Sequence, residues 1–167
     1  MKNRFVPDLN INTVFDINTD LLKAKGISAF VFDIDNTLAT YAMPVPNEET
    51  LKWLDSLKKS GFKLCFVSNN KKERVRIFAQ AANVTYIGRA MKPCKFYLKR
   101  ACRRLGVSPQ NAALVGDQLF TDVWGGNRMG MFTVLVTPIS PVEDGFVKFK
   151  RRFEKYVLER AKGRNER

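Results

Sequence analysis

The sequence predicts an α/β domain in three layers, with helices on both faces of a five-stranded, mainly parallel sheet. Three observations carry this. Short runs rich in β-branched and aromatic residues alternate with stretches of helical periodicity, as repeated βα units require. The runs are too short for buried helices and are bounded by Gly, Asn, Asp or Pro. Polar residues stand at the carboxyl ends of three of them, where ligands bind in sheets of this kind.

The predicted strands cover residues 27–32, 63–67, 84–88, 112–116 and 132–136. The first ends in Asp33, the second in Ser68-Asn69-Asn70 and the fourth in Asp117. The first predicted helix opens at Pro46 or Asn47, repeats Leu51, Leu54 and Leu57, and closes on Lys58 and Lys59 before Gly61. A second covers 71–82, with Val75, Phe78 and Ala79 on one side. A third starts at Pro93, a favoured first-turn residue, and stops at Gly106. Residues 119–129 also have a helical pattern, weakened by Gly125-Gly126 at about 1 kcal/mol per glycine. No repeat or linker divides the chain, so its 167 residues are expected to form a single domain spanning 1–167.

Composition excludes several chemistries. There is no histidine, which removes every mechanism with an imidazole base, nucleophile or metal ligand. The three cysteines (Cys65, Cys94, Cys102) have no CxxC spacing, so a disulfide framework or zinc site is not expected and a reducing, cytoplasmic setting fits. No apolar run approaches the roughly 18 residues of a membrane span. The first residues are basic but lead into no apolar stretch, so no secretory signal is expected. Lys plus Arg is 29 against 16 Asp plus Glu, a net charge of +13, which calls for an anionic partner.

The chemistry is concentrated in Asp33-Ile34-Asp35-Asn36-Thr37. Residues two apart on extended backbone face one side, so both carboxylates can point into one cleft. Like charges that close repel and demand a cation. A hard, oxygen-seeking ion such as Mg²⁺ suits carboxylates and a substrate phosphate together. By itself Asp-x-Asp before Asn-Thr is as readily a turn with Asx caps; Ser68 and Asp117 at other strand ends tip the balance.

These residues resemble the four motifs of the haloacid dehalogenase (HAD) phosphohydrolases, in order. They are Asp33-x-Asp35-x-Thr37, Ser68, Lys92-Pro93 and Gly116-Asp117-x4-Asp122. Details along nearly the whole chain, including Phe5-x-Pro7, Val67-Ser68-Asn69-Asn70 and Thr121-Asp122-Val123-x-Gly125-Gly126-Asn127, resemble the YqeG-type subfamily IIIA phosphatases, related to the mitochondrial phosphatidylglycerophosphate phosphatases. Met91 stands where another basic residue is expected.

The resemblance implies a Rossmann-like three-layer HAD fold and a Mg²⁺-dependent phosphomonoesterase working through an aspartyl-phosphate. Asp33 is the implied nucleophile and Asp35 the general acid and base. Ser68, Asn69 and Lys92 are implied to bind the phosphoryl group. Mg²⁺ would be held by the Asp33 and Asp117 side chains and the Asp35 carbonyl, with Thr37 and Asp122 supporting them from behind. Family members often carry a cap domain. Residues 39–46 and 71–91 are too short for one, so an open site is expected.

A competing pattern, Cys94-x5-Arg100, fits the spacing of cysteine phosphatases. Its intervening residues are bulky and follow a helix-starting proline, where that chemistry needs a tight amide-lined loop. It reads as a thiol in a helix.

The basic surplus is concentrated toward the carboxyl end. Residues 144–167 are expected to form a basic amphipathic helix, with Phe146, Phe149, Phe153, Tyr156 and Val157 at three- and four-residue spacing. Residues 146–167 hold nine basic and three acidic groups. Such a helix either packs its aromatics on the sheet or rests on anionic lipid. Lys95, Lys99, Arg100, Arg103 and Arg104 are expected on the same side as Lys92. Together these point to an anionic phospholipid at a membrane surface, phosphatidylglycerophosphate first. Another phosphate substrate on the same scaffold, or a non-catalytic nucleic-acid-binding protein, is the alternative. Nucleic acid has no recognition motif here, only the charge, and no protein partner is indicated. A phosphate-storing receiver domain is disfavoured by Asp35, which is placed to activate water.

Overall fold

The computed structural model describes residues 4–140 and residues 154, 156 and 157. Its strands are β1 (Leu9–Ile11), β2 (Ala29–Phe32), β3 (Lys63–Val67), β4 (Thr85–Ile87), β5 (Ala112–Gly116) and β6 (Phe132–Val136). They form one sheet in the order β1-β6-β5-β2-β3-β4, with every pair parallel. The expected five strands were one too few. β1 has three residues interrupted by Asn10, too short to register as a run, and it exists because β6 offers a free edge.

The helices are α1 (Thr19–Ala24), α2 (Glu48–Lys59), α3 (Lys72–Ala82), α4 (Lys95–Leu105) and α5 (Trp124–Met129). Asn47 caps α2, its side chain accepting the Thr50 N–H at 2.8 Å, with Glu48 and Glu49 in the first turn and Lys58 and Lys59 in the last. α4 begins at Lys95, two residues beyond Pro93, after a turn that the Cys94 N–H closes on the Met91 carbonyl at 2.9 Å. The predicted helix at 119–129 is a π-helical turn (Leu119–Val123) running into α5.

Alternate residues of each strand enter opposite cores. Phe30, Phe32, Phe66 and Val115 pack under Leu54 and Leu57 of α2 and Val75 and Phe78 of α3. Val31, Cys65, Val67 and Leu114 meet Leu98, Ala101 and Cys102 of α4 on the other side. Central strands covered on both faces account for the fully buried runs in β2 and β5. At roughly 25 cal/mol per Å² of apolar area removed from water, this two-sided burial is the main force holding the sheet.

After β4 the chain crosses back to place β5 on the other side of β2, so the loops leaving β2 and β5 diverge from adjacent strands. That reversal of strand order is the ligand crevice of such sheets. No additional domain interrupts the described residues: residues 33–47 join β2 to α2, and only α3, β4, α4 and a single 3-10 turn (Pro109–Asn111) separate β3 from β5. Among the described residues no helix is long and apolar enough to cross a membrane.

Most of the expected helix at 144–167 lies outside the described residues. Glu154, Tyr156 and Val157 are helical there, and the buried Glu154 carboxylate accepts the Phe120 N–H at 3.0 Å.

Candidate active site

The crevice gathers the charged residues the sequence singled out. Asp33, Asp35, Thr37, Ser68, Lys92, Asp117 and Asp122 are all buried. Asp33, Asp35, Ser68, Asn69 and Lys92 line a pocket of about 230 Å³, together with Tyr41, Asn70, Gln118 and Thr121. Buried charges persist only when paired or bound to an ion, so each has a partner to be identified.

Lys92 is the partner of two of them. Its ammonium, with 1% of the side chain exposed, lies 2.8 Å from Asp33 and 2.7 Å from Asp122. The other Asp122 oxygen accepts the Gln118 N–H at 3.2 Å and the Thr121 hydroxyl at 3.3 Å, both from the π-helical turn. Gly116 makes this possible, because a Cβ there would stand 2.3 Å from the Asp122 carboxyl. Asp122 thus braces Lys92. Thr37 donates to Asp117 at 3.5 Å.

Asn69 differs. Its side-chain amide, expected on the substrate phosphate, accepts the Lys92 backbone N–H at 2.6 Å and donates to the Lys92 carbonyl at 3.3 Å. It pins the Lys92 backbone at the cis peptide.

Asp35 is held apart from this cluster. One oxygen takes Asn70 Nδ2 at 3.0 Å and Ser68 Oγ at 3.4 Å. The other takes Arg74 Nε at 3.0 Å and Nη2 at 2.6 Å. Asn70 and Arg74 were not singled out from the sequence. Asn70 sits in the quoted motif beside Ser68, but Arg74 lies in a run of charged residues that reads as a solvated helix face.

The basic residues of α4 do not all serve this side. α4 runs away from Lys92, and Arg104, expected near the substrate, donates to the Tyr86 carbonyl and shares a groove with Lys58 and Lys63. Lys63 begins β3, so this groove is at the opposite end of the sheet. Cys94 is exposed at the amino end of α4, while Cys65 and Cys102 are buried. Burial pushes the Cys65 thiol up to about 12. With Arg100 exposed on the helix and no amide-lined loop between them, Cys94 does not form a cysteine-phosphatase site.

Burial and mutual repulsion set the electrostatics of the crevice. Burial holds the Asp33 carboxyl well above the usual carboxylate range; the Lys92 charge opposes this, and Asp122 and Asp117 add to it. For Lys92, burial pulls down, but the charges and hydrogen bonds of Asp122 and Asp33 outweigh it and hold the ammonium above the ordinary lysine value. Oxygens of Asp33, Asp117 and Asp122 lie within 4.8 Å of one another. Three buried carboxylates around one ammonium leave excess negative charge, and the donors are all hard oxygens. Both facts fit a divalent cation, with Asp33 and Asp117 facing it and Asp122 turned to Lys92.

The chain is similar to known proteins. The HAD-hydrolase-like family model matches residues 90–138. The chain is 34% identical over 163 residues to the probable phosphatase YqeG of Bacillus subtilis, covering 97% of this chain and 94% of that one. It is 27% identical over 170 residues to phosphatidylglycerophosphate phosphatase 1 of Arabidopsis thaliana, covering 93% of this chain but only 47% of that protein. A match at 34% over 122 residues, 67% of this chain and 51% of the other, is to a glyceraldehyde 3-phosphate phosphatase of Methanopyrus kandleri. Among solved structures, a HAD phosphatase from Thermococcus onnurineus superposes with a TM-score of 0.58 at 18% identity, covering 71% of this chain and 90% of that one. The fold, the ordered motifs and this near-full-length similarity agree: the chain belongs to the YqeG-like phosphatases of the HAD superfamily.

Proposed function

We propose that the chain is a Mg²⁺-dependent phosphomonoesterase that removes the terminal phosphate of phosphatidylglycerophosphate at a membrane surface. The observation that carries the hydrolytic reading is the convergence of Asp33, Asp35, Ser68 and Lys92 on one pocket. Asp33 Oδ attacks phosphorus as the bond to the leaving oxygen breaks, and Asp35 gives that oxygen a proton. Water then attacks the aspartyl-phosphate, Asp35 takes the proton, and the Asp33–phosphorus bond breaks to release inorganic phosphate. Lys92 neutralises phosphoryl charge and holds Asp33 in place, and the Ser68 hydroxyl donates to a phosphoryl oxygen. Mg²⁺ held by Asp33, Asp117 and the Asp35 carbonyl would relieve the repulsion between phosphate and carboxylates.

The lipid reading has three supports: the relative named for phosphatidylglycerophosphate, the net charge of +13, and the lack of an inserted cap among the described residues. The nine basic groups of residues 146–167 would favour anionic headgroups, each by about 1 kcal/mol near the surface. The relative named for glyceraldehyde 3-phosphate supports a soluble substrate instead.

Phosphate release from vesicles containing phosphatidylglycerophosphate, set against glyceraldehyde 3-phosphate and mononucleotides with and without Mg²⁺, decides between them. The proposal expects Mg²⁺-dependent release on the lipid, lost in Asp33→Asn, and at least about tenfold above any soluble ester, a transition-state preference of about 1.4 kcal/mol. Equal or faster turnover of a soluble ester would overturn the lipid assignment.

A further inference from the structure

Arg74 leaves the first turns of α3, crosses to the loop after β2 and makes four contacts there. Nε and Nη2 reach Asp35 Oδ1 at 3.0 and 2.6 Å. Nη2 also donates to the Thr40 carbonyl at 3.1 Å, and Nη1 to the Met43 carbonyl at 3.0 Å. Residues 40–43 form a turn of their own, closed by the Met43 N–H on the Thr40 carbonyl at 3.1 Å. Tyr41, at its tip, lines the pocket. One guanidinium thus joins the Asp35 carboxyl to the segment that borders the pocket.

The geometry uses what only arginine offers. A planar fork can place two donors on one carboxylate oxygen and still direct others to two carbonyls. Lysine has a single point charge and no fork. The Arg74 side chain is 19% exposed and that of Asp35 8%, so the pair is largely shielded from water and worth more than a surface ion pair.

We infer that Arg74 is a positioning residue for acid–base catalysis: it aims Asp35 at the leaving-group oxygen and ties the 40–43 turn to that carboxyl, thereby setting which leaving groups the enzyme can expel. This rests on the reading of Asp35 as proton donor and acceptor. A merely structural pair linking α3 to the loop would instead affect all substrates alike.

Leaving groups separate the two. An alkoxide needs a proton as it departs; p-nitrophenolate leaves without one. General acid catalysis is typically worth about 10²–10⁴. Arg74→Ala should therefore lower the single-turnover rate of leaving-group release from an alkyl ester (phosphatidylglycerophosphate in vesicles, or glycerol 3-phosphate) by on the order of tenfold or more, while changing that same step with p-nitrophenyl phosphate by less than about threefold; the later attack of water, in which Asp35 is the base, is common to both esters. Arg74→Lys, which keeps the charge and loses the fork, should show the same split, and free guanidinium should restore the alkyl rate of Arg74→Ala. In an Asp35→Asn background, Arg74→Ala should add nothing further, because both act through one group.

Equal losses on both esters in leaving-group release, no loss on either, or additive losses in the double variant would overturn the inference. The underlying reading fails separately: if Asp35→Asn itself slows leaving-group release from both esters equally, Asp35 is not the acid, whatever Arg74 does.

Discussion

Lys92 is clamped between Asp33 and Asp122 with almost none of its side chain exposed, so its ammonium is the counter-charge of Asp122 and lies within hydrogen-bond reach of Asp33, whose carboxyl burial keeps protonated in the cation-free protein. Removing one partner of such a buried cluster leaves uncompensated charge, at a cost of about 3–5 kcal/mol. Lys92→Met in chelator-treated protein should therefore lower unfolding stability by about that amount in a urea titration; a change under about 1 kcal/mol would mean that solvent, not Lys92, neutralises Asp122. Asp33, Ser68 and Asp117 are visible in the sequence because each stands immediately past a strand and Asp35 follows Asp33 by two, while Lys92 and Asp122 are marked by the motif resemblance. Arg74 has no such mark. It follows Lys71-Lys72-Glu73, which reads as a solvated helical face, and its partner is 39 residues away. Asn69 was visible as a polar residue in the right place, but its hold on the Lys92 backbone depends on a turn that spacing does not reveal.

Among the elements, those with their own apolar signal were legible and those defined by a partner were not. β2 and β5 are continuous apolar runs, β3 is one after Lys63, and the amphipathic α2, capped by Asn47, and α3 start and stop close to their sequence signals. β1 is an edge strand of three residues whose identity comes from β6, reinforced by Asp8, which accepts the Thr133 N–H at 2.8 Å across 125 residues. α1 has only six residues, less than two turns, and depends on the Asn18 cap and buried Leu22. The π-helical turn at Leu119–Val123 is a tertiary effect of bringing Asp122 back over Gly116. The direction of α4 explains why its basic residues divide: the end at Lys95 starts near Lys92, and the end at Arg104 reaches the other side of the sheet.

At the scale of the whole molecule, the site carries a charge imbalance that folding must bear. In the cation-free protein the native Asp33 carboxyl keeps a proton that the unfolded chain gives up near the ordinary carboxylate value of about 4. The native state then binds more protons than the unfolded state, so this contribution to stability falls as pH climbs from about 4 into the neutral range. In chelator, the thermal midpoint of the wild-type chain should drop relative to Asp33→Asn over that interval. Added Mg²⁺ should reverse the difference near neutral pH by stabilising the ionised form in the folded state alone. A flat difference across that range would contradict the electrostatic description of the crevice. The net charge of +13 acts on a longer range, steering the protein toward anionic surfaces without bearing on the fold.

The most direct measurement is to capture the phosphoryl group in transit. Acid-quenching the protein during turnover of a phosphomonoester and mapping the modified peptide should find the phosphoryl group on Asp33. It should be absent in Asp33→Asn, and in Asp35→Asn it should persist once formed, because water is no longer activated. Phosphate released with no modified Asp33, or a phosphoryl group found on Cys94, would contradict the account.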